Sequence, residues 1–505
     1  MNNLHDIRKA NFELTAMRRN KIFMTLLLTV LISAAGCKKF TDVQAPTTSL
    51  TGANVYASDA TAIAVLTGIY ANWSGSDPGA TLGSIPSLTL YAGLSADELT
   101  LYSGNSDQTA TAYYTNALTG APTNYGVAHW SILYSYIFQC NDAIVGLNAS
   151  NSLTPVVKKQ LLGEAKFIRA FCYFYLVNLY GDVPLALTPD PKVNNALSRA
   201  PTAQVYAQII ADLRAAQKLL SPNFLDGTLL KTSQDRVRPS SWSATALLAR
   251  AYLYNKNWAG ADSAATTVIN NSDNFNLSNL NNTFLRASLG NKEAIWQLQP
   301  VTSGDVTNTL DASVFLISSA GPMQAGDFGA YVSSNLLASF EPGDGRLTSW
   351  IDTITVSGTT YYFPFKYKVG PNNPNYPLSP PVTEHLMMLR LGEQYLIRAE
   401  ARARQNNVGG AQLDLNAIRN RAGLANTVAS DGPNLLTAIL HEREVEFFAE
   451  LGQRWLDLKR TGAVDSVMSI VTPQKGGAWR VYQQLYPIPS SDIQSDPKLV
   501  QNNGY

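Results

Sequence analysis

His441 and Glu442 open a sequence that could bind zinc, His-Glu-x-x-His on one helix face, but position 445 is Val and the second imidazole is missing. The other histidines, His5, His129 and His385, stand far from this one and from each other, without ligand spacing. Glu442, Glu446 and Glu450 recur every four residues ahead of Arg454, Asp457 and Arg460. A pair of carboxylates at fixed separation could serve as general acid and base, as in glycoside hydrolysis. A charged helical stripe paired with neighbouring helices explains the same spacing more simply. Asp97 and Glu98 are adjacent, and successive side chains point apart, which does not suit joint catalysis. The chain holds no GxSxG, no P-loop and no GxGxxG. No cofactor or metal is expected, and no catalytic residue; the expectation is a protein that is not an enzyme.

Binding chemistry is better represented. Charged residues make up 15% of the chain against a usual ~25%, and Lys+Arg 38 against Asp+Glu 37 leaves no net field to draw in nucleic acid. Polar surface must come from Asn, Ser, Thr, Gln and Tyr, a composition that suits neutral hydroxylated ligands. Such ligands offer C–H faces to aromatic rings and hydroxyls to amides. The aromatics expected in irregular, exposed segments are Trp73, Tyr91, Tyr102, Tyr113, Tyr114, Trp350, Tyr361 and Tyr362, with Asn72, Asn105 and Asp107 beside them. Trp242, Trp258, Trp296 and Trp455 fall in repeat or strand patterns and are assigned to the core.

These residues need a frame. Residues 164–185 (EAKFIRAFCYFYLVNLYGDVPL) are apolar nearly all round, the pattern of a buried helix. Gly181 is placed to end it in a left-handed conformation, and Pro184 forces an extended exit. Arg169 stands alone in the apolar run, and because an unpaired buried charge is costly, a carboxylate from another helix should meet it. Helices are also expected over 59–73, 130–147, 153–180 and 206–220. The first carries Ile63, Leu66, Ile69, Tyr70 and Trp73 on one face. Residues 242–271 and 393–421 each hold an Ala-rich helix pair, the plan of tetratricopeptide-type stacking. The two copies lie far apart, so a helical frame with insertions fits better than a plain solenoid. The main insertion is placed at about 275–383, with a strand at 294–299 and a hairpin at 351–367 turning at Ser357-Gly358. Residues 74–122 read as irregular, and 486–505 as extended without a further helix.

At the N-terminus Arg18, Arg19 and Lys21 precede the apolar run 22–32, then Ser33-Ala34-Ala35-Gly36-Cys37. That is a secretory signal, and the small residues before Cys37 resemble a bacterial lipobox, with Cys37 as the lipidated first residue of the mature chain. Met1 or Met17 is the start. Several acyl chains, at ~0.8 kcal/mol per buried CH₂, would anchor the protein stably. Residues 38–52 are rich in Thr, Ser and Pro and read as a tether. Cys140 and Cys172 sit in helical patterns and read as small buried hydrophobes.

The helix of form E-A-x-F-x-R-A followed by LYGDVPL resembles the SusD/RagB family of nutrient-uptake surface lipoproteins. KEAIWQ, GDGRL (343–347), LRLGEQYLIRAEARAR, HEREVEFFAELGQRWLDLKR and the terminal QNNGY extend the resemblance over nearly the whole mature chain. It implies a mainly α fold: a tetratricopeptide-like helical-repeat frame with a loop-rich, partly β ligand-binding subdomain. The regions would be 1–36 signal peptide, 37–52 tether, 53–235 N-terminal helical region and 236–505 C-terminal region. The implied function is capture of extracellular oligosaccharide and its delivery to a TonB-dependent SusC-like outer-membrane transporter. The protein would be lipid-anchored in the outer membrane and exposed at the cell surface, with loops outside the repeats forming the ligand face. Peptide or another nutrient could replace the glycan in the same role. A surface glycoside hydrolase and a helical-repeat adaptor for protein ligands are the rival readings.

Overall fold

Eight helices stack side by side to form the frame of the protein. The structure, a computed structural model, describes residues 55–75, 85–121, 128–301, 308–322, 329–370, 372–373 and 381–505. Cys37, the signal segment and the tether lie outside the described residues. Val55–Tyr505 is one unit.

The frame begins after α1 (Asp59–Ser74), α2 (Ile85–Ser95), strand β1 (Leu99–Leu101) and α3 (Gln108–Tyr114). The stack itself is α4 (Ala128–Ala149), α5 (Pro155–Tyr180), α6 (Thr202–Leu219), α7 (Ser241–Tyr254), α8 (Trp258–Ile269), α9 (Leu391–Arg404), α10 (Val408–Arg421) and α11 (Gly432–Phe447). Each packs on the next, and α8 meets α9 even though the whole insertion lies between them in sequence. The two Ala-rich pairs turn alike. Lys256 and Asn406 take positive φ (58° and 60°), and Asn257 and Asn407 then cap α8 and α10 by accepting the backbone N–H of Gly260 and Gly410. Ala261, Ala264 and Ala265 on α8 and Ala399, Ala403 and Ala411 at the second pair are buried at the crossings. The expected tetratricopeptide-like pairing is what the chain forms.

α5 is the centre of the core, with Phe167, Ile168, Phe171, Cys172, Phe174 and Leu176 fully buried. Cys140 and Cys172 are free and buried. Arg169 finds its carboxylate: Nε and Nη2 donate to the two oxygens of Asp212 on α6 at 2.8 and 2.7 Å, and Nη1 donates to Asn141 Oδ1 on α4 at 2.8 Å. One guanidinium thereby ties three helices. Gly181 has the expected positive φ (77°), but ψ of −132° takes it out of the left-handed helical region. The chain thus leaves α5 directly into strand β2 (Val183–Pro184), which pairs with β3 (Arg199–Ala200). The C-terminal segment is not wholly extended as expected: Ser490–Ser495 forms a short helix after Pro489. Beyond it, Asn502 Nδ2 donates to the carbonyls of Tyr180 and Tyr486, satisfying a carbonyl left open at the end of α5.

The insertion is rooted on a two-stranded sheet, β4 (Ala294–Leu298) antiparallel to β8 (Leu386–Arg390). From that root rise β5 (Ala330–Val332) and the hairpin β6 (Ile351–Val356)–β7 (Thr359–Pro364). The hairpin register pairs Ile354 with Tyr361 and Val356 with Thr359, and its turn carries Ser357 and Gly358 at positive φ as expected. The 74–122 stretch is more ordered than its composition suggested. It supplies α2, β1 and α3, and β1 pairs with β5 of the insertion.

Candidate functional site

The site grows from where β1 meets the insertion. Thr100 of β1 pairs with Tyr331 of β5, and the N–H of Tyr102 donates to the Gly329 carbonyl at 2.7 Å. Tyr102 therefore leaves the end of β1 beside β5. The ring of Tyr361, on β7, lies 6.2 Å from that of Tyr102 and 5.3 Å from that of Tyr331, edge-on to both. All three are partly exposed. Burial and the neighbouring phenols of Tyr114, Tyr361 and Tyr102 hold the Tyr331 hydroxyl above its ordinary value. Burial likewise raises that of Tyr114, with hydrogen bonds to Thr100 and Leu101 working against it. Phenol rings of this kind offer hydroxyl donors and acceptors together with apolar faces.

Asn105 closes one side. Its Oδ1 accepts the N–H of Asp107 at 2.7 Å, while Asp107 caps α3 by accepting the N–H of Thr109 at 2.8 Å. A Cβ on Gly329, whose φ is +63°, would lie 2.9 Å from Asn105 Nδ2; glycine is needed there for both the backbone and the close approach.

Two clamps hold this face on the frame, and both run to α11. Beneath β1, Asp97 accepts from Arg454 Nε and Nη2 at 2.8 and 2.7 Å, and Arg454 Nη1 lies 2.9 Å from Glu444 of α11. At the foot of the hairpin, Phe365 N–H donates to the Trp350 carbonyl at 2.7 Å. Lys366 Nζ donates to the carbonyls of Glu446 and Phe448 at 2.9 and 2.7 Å and pairs with Glu450. Around it, Arg346 meets Asp344, Glu442 and Glu446 at 2.8, 2.7 and 2.9 Å, and Arg390 meets Glu293 and Glu450 at 3.0 and 2.8 Å. Arg421 pairs with Glu293 and Glu446. Burial works to raise the Glu446 carboxyl, but Arg421, Arg390 and Arg346 outweigh it and hold it far below the usual carboxylate range. The glutamates spaced by four are thus a buried ionic foundation, closed to substrate, and not an acid–base pair.

The expected aromatics divide sharply. Tyr102, Tyr114 and Tyr361 come together. Tyr362 is 37% exposed and, as the neighbour of Tyr361 on a strand, projects from the other face of the hairpin. Trp73 and Trp350 are 0% exposed and cannot stack on a ligand. Trp73 packs among Tyr70, Tyr136, Phe171 and Trp296, because it continues the apolar stripe of α1. Trp350 donates its indole N–H to the Leu280 carbonyl at 2.8 Å, and its ring lies under Lys366, with Nζ 4.8 Å from the centroid. Tyr91 and Tyr113 are also buried, stacked at 4.6 Å, since α2 and α3 turn them inward. Asn72 is exposed near the end of α1, a helix that packs on elements carrying none of the clustered tyrosines. Tyr331 was not anticipated; its sequence signal was an aromatic in a short strand, Ala330–Val332. Of the four tryptophans assigned to the core, Trp296 and Trp455 are fully buried, while Trp242 and Trp258 are half-buried at its edge.

Among the described residues no group of three or more His, Cys, Asp or Glu side chains is placed to hold a metal ion. No described helix is long and apolar enough to cross a membrane. Asp97 is engaged by Arg454, and Glu98 is buried, its carboxyl pushed up to about 8 by burial and by Asp97.

Residues 346–505 match the model of the SusD family, and residues 89–253 match that of "Starch-binding associating with outer membrane". The chain belongs to the SusD/RagB family. SusD-like protein P25 of Formosa agariphila is 25% identical over 433 residues, covering 74% of this chain and 79% of that one. Among solved structures, surface glycan-binding protein A from Bacteroides uniformis superposes with a TM-score of 0.71 at 22% identity, over 88% of this chain and 99% of that one. A laminarin-binding SusD-like protein superposes with a TM-score of 0.69 at 24% identity, with the same coverages, 88% and 99%. The fold, mainly α with small sheets, is that of SusD-like proteins. The matched family segments carry both clamps: Asp97 lies in the first, and Arg346, Lys366, Glu446 and Arg454 in the second.

Proposed function

We propose that this SusD-like chain is a glycan-binding lipoprotein of the outer membrane. In this reading it captures an extracellular oligosaccharide on the face formed by Tyr102, Tyr114, Tyr331 and Tyr361 and delivers it to a TonB-dependent SusC-like transporter. The observation that carries the reading is the group of half-exposed phenols on an anchored hairpin and strand. Rings of this kind offer C–H stacking faces and hydroxyls to a neutral sugar chain. The glycan-binding and laminarin-binding neighbours support the ligand class, and the family description supports the membrane setting. Lipidation at Cys37 supplies the anchor. Of the described carboxylates beside β1, Asp97 is engaged by Arg454 and Glu98 is buried, so neither offers a free acid or base at this face. An uptake protein must also release its ligand, which sets the affinity at micromolar to millimolar, roughly −8 to −4 kcal/mol.

The test is a glycan screen on the mature domain, with Tyr102→Ala and Tyr361→Ala alongside. Retardation of wild type in a glucan or other polysaccharide gel, lost in both variants at unchanged melting temperature, is the expected result. Retardation retained in both would remove the ligand from this face, and appearance of shortened product would make the protein an enzyme.

A further inference from the structure

A second cavity lies elsewhere, between the outer face of α4, the 184–197 connection and the C-terminal helix Ser490–Ser495. Its volume is about 340 Å³, at the small end of the range that holds organic ligands. One side is aromatic. Trp130, Tyr134 and Phe138 recur every four residues along α4, and Phe138 is 50% exposed, leaving its ring open to the cleft. The Trp130 and Tyr134 rings are 4.9 Å apart.

The other side accepts hydrogen bonds. Trp130 Nε1 donates to Asp492 Oδ2 at 2.8 Å, which fixes that carboxylate on the cavity wall, and Asp496 lines the same wall. Asn194 also lines it. Its Nδ2 is held by the Thr188 carbonyl at 2.8 Å, so the amide cannot turn freely. Its Oδ1 is buried and accepts no hydrogen bond from any described residue. A buried acceptor left without a donor is costly, and an incoming hydroxyl would remove that cost.

We propose that this cleft is a second binding site, for a monosaccharide-sized polyhydroxylated ligand. The ligand's C–H face lies against Tyr134 and Phe138, and its hydroxyls donate to Asn194 Oδ1 and the Asp496 carboxylate. The lining offers mainly acceptors, so a hydroxyl-rich ligand fits it and an anionic one does not. Nothing in the argument depends on the tyrosine face, which is built from other elements.

The experiment is saturation-transfer NMR on the mature protein, titrating methyl α-D-glucopyranoside as probe. It compares wild type with Asp496→Asn, Asn194→Leu, Phe138→Ala and the Tyr102→Ala/Tyr361→Ala double variant. Asp496→Asn and Phe138→Ala alter accessible groups and should keep the wild-type melting temperature, so they carry the test if Asn194→Leu disturbs its loop. Transfer in wild type and in the double tyrosine variant, weakened about tenfold or more by Asp496→Asn and Phe138→Ala, is the expected pattern. Absence of transfer in wild type would overturn the proposal. So would transfer abolished by the tyrosine variant and untouched by the cleft variants. Oligosaccharide retention in the same proteins reports on the tyrosine face separately.

Discussion

Arg169 offers the sharpest test of how the frame is held. Its side chain and that of Asp212 are 6% and 2% exposed, so each charge exists in the interior only because the other does. In Arg169→Leu, Asp212 keeps one longer ion pair, to the part-exposed Lys166 at 3.7 Å, and Asn141 Oδ1 loses its donor. In Asp212→Leu the guanidinium keeps Asn141 alone. Breaking a buried pair from one side costs ~3–5 kcal/mol. Unfolding entropy of roughly 2.1 cal/mol/K per residue, taken over Val55–Tyr505, converts that loss to a fall of about 3–5 °C in melting temperature. The double variant Arg169→Leu/Asp212→Leu leaves no charge stranded and restores apolar packing, so it should lose clearly less than the two singles added together. Coupling within such a pair runs to ~0.5–3 kcal/mol. Urea unfolding of the four proteins, followed by circular dichroism, gives the cycle directly. Strictly additive losses, or singles within ~0.5 kcal/mol of wild type, would refute the claim that this pair is buried and ties α4, α5 and α6.

Four further outcomes are expected. Lys366→Met should leave Glu450 to Arg390 alone and free two buried carbonyls, costing ~1–3 kcal/mol for each acceptor left unsatisfied and lowering hydrogen-exchange protection across β6 and β7 first; unchanged protection there would show that the hairpin is not held by this clamp. Glu98 has its carboxyl raised from 4.5 to about 8, so its protonated form supports the fold below about pH 4.5 and that support is lost as pH rises through 8. Glu98→Gln should therefore flatten stability across this window, where the wild type loses ~1.4 kcal/mol for each rise of one in pH, and an unaltered pH profile would contradict the assignment. Trp73→Ala should cost ~3–5 kcal/mol, whereas Tyr361→Ala should leave the melting temperature nearly unchanged; equal losses would place both rings in the same environment. Cys37→Ser should release the protein from the membrane fraction and abolish labelling with a fatty acid, and an unlabelled wild type would end the lipoprotein reading.

The frame was legible in the sequence because its signals are local. Apolar stripes on 3.6-residue spacing mark α1, α4 and α6, and a run apolar nearly all round marks α5; the Asn-x-x-Gly-Ala that recurs at 257–261 and 407–411 proves in the structure to carry the caps of α8 and α10. The need of Arg169 for a partner followed from its apolar neighbours, although nothing in the sequence singled out Asp212. The order within 74–122 was not legible, because β1 is a strand only by virtue of β5, more than two hundred residues away. A short strand stabilised by a distant partner leaves little periodicity of its own.

The candidate site was half legible, and the division has a physical cause. Aromatic type says that a ring is present and leaves open which way its element faces. Trp73 carried a usable warning: it lies three and four residues after Tyr70 and Ile69, on the buried stripe of α1. Trp350 carried none, since its burial depends on Lys366, Arg390 and Arg421 converging from three separate elements. The same convergence explains why the glutamates of α11 resemble catalytic groups in sequence. Acidic residues at every fourth position put their charges on one face, and whether that face meets solvent, substrate or arginine is decided by elements far away in the chain. Here Glu442, Glu444, Glu446 and the adjacent Glu450 take their cations from the insertion, β8, α10 and the 453–461 helix. The charges that first suggest chemistry are the ones that anchor the tyrosine face to the frame.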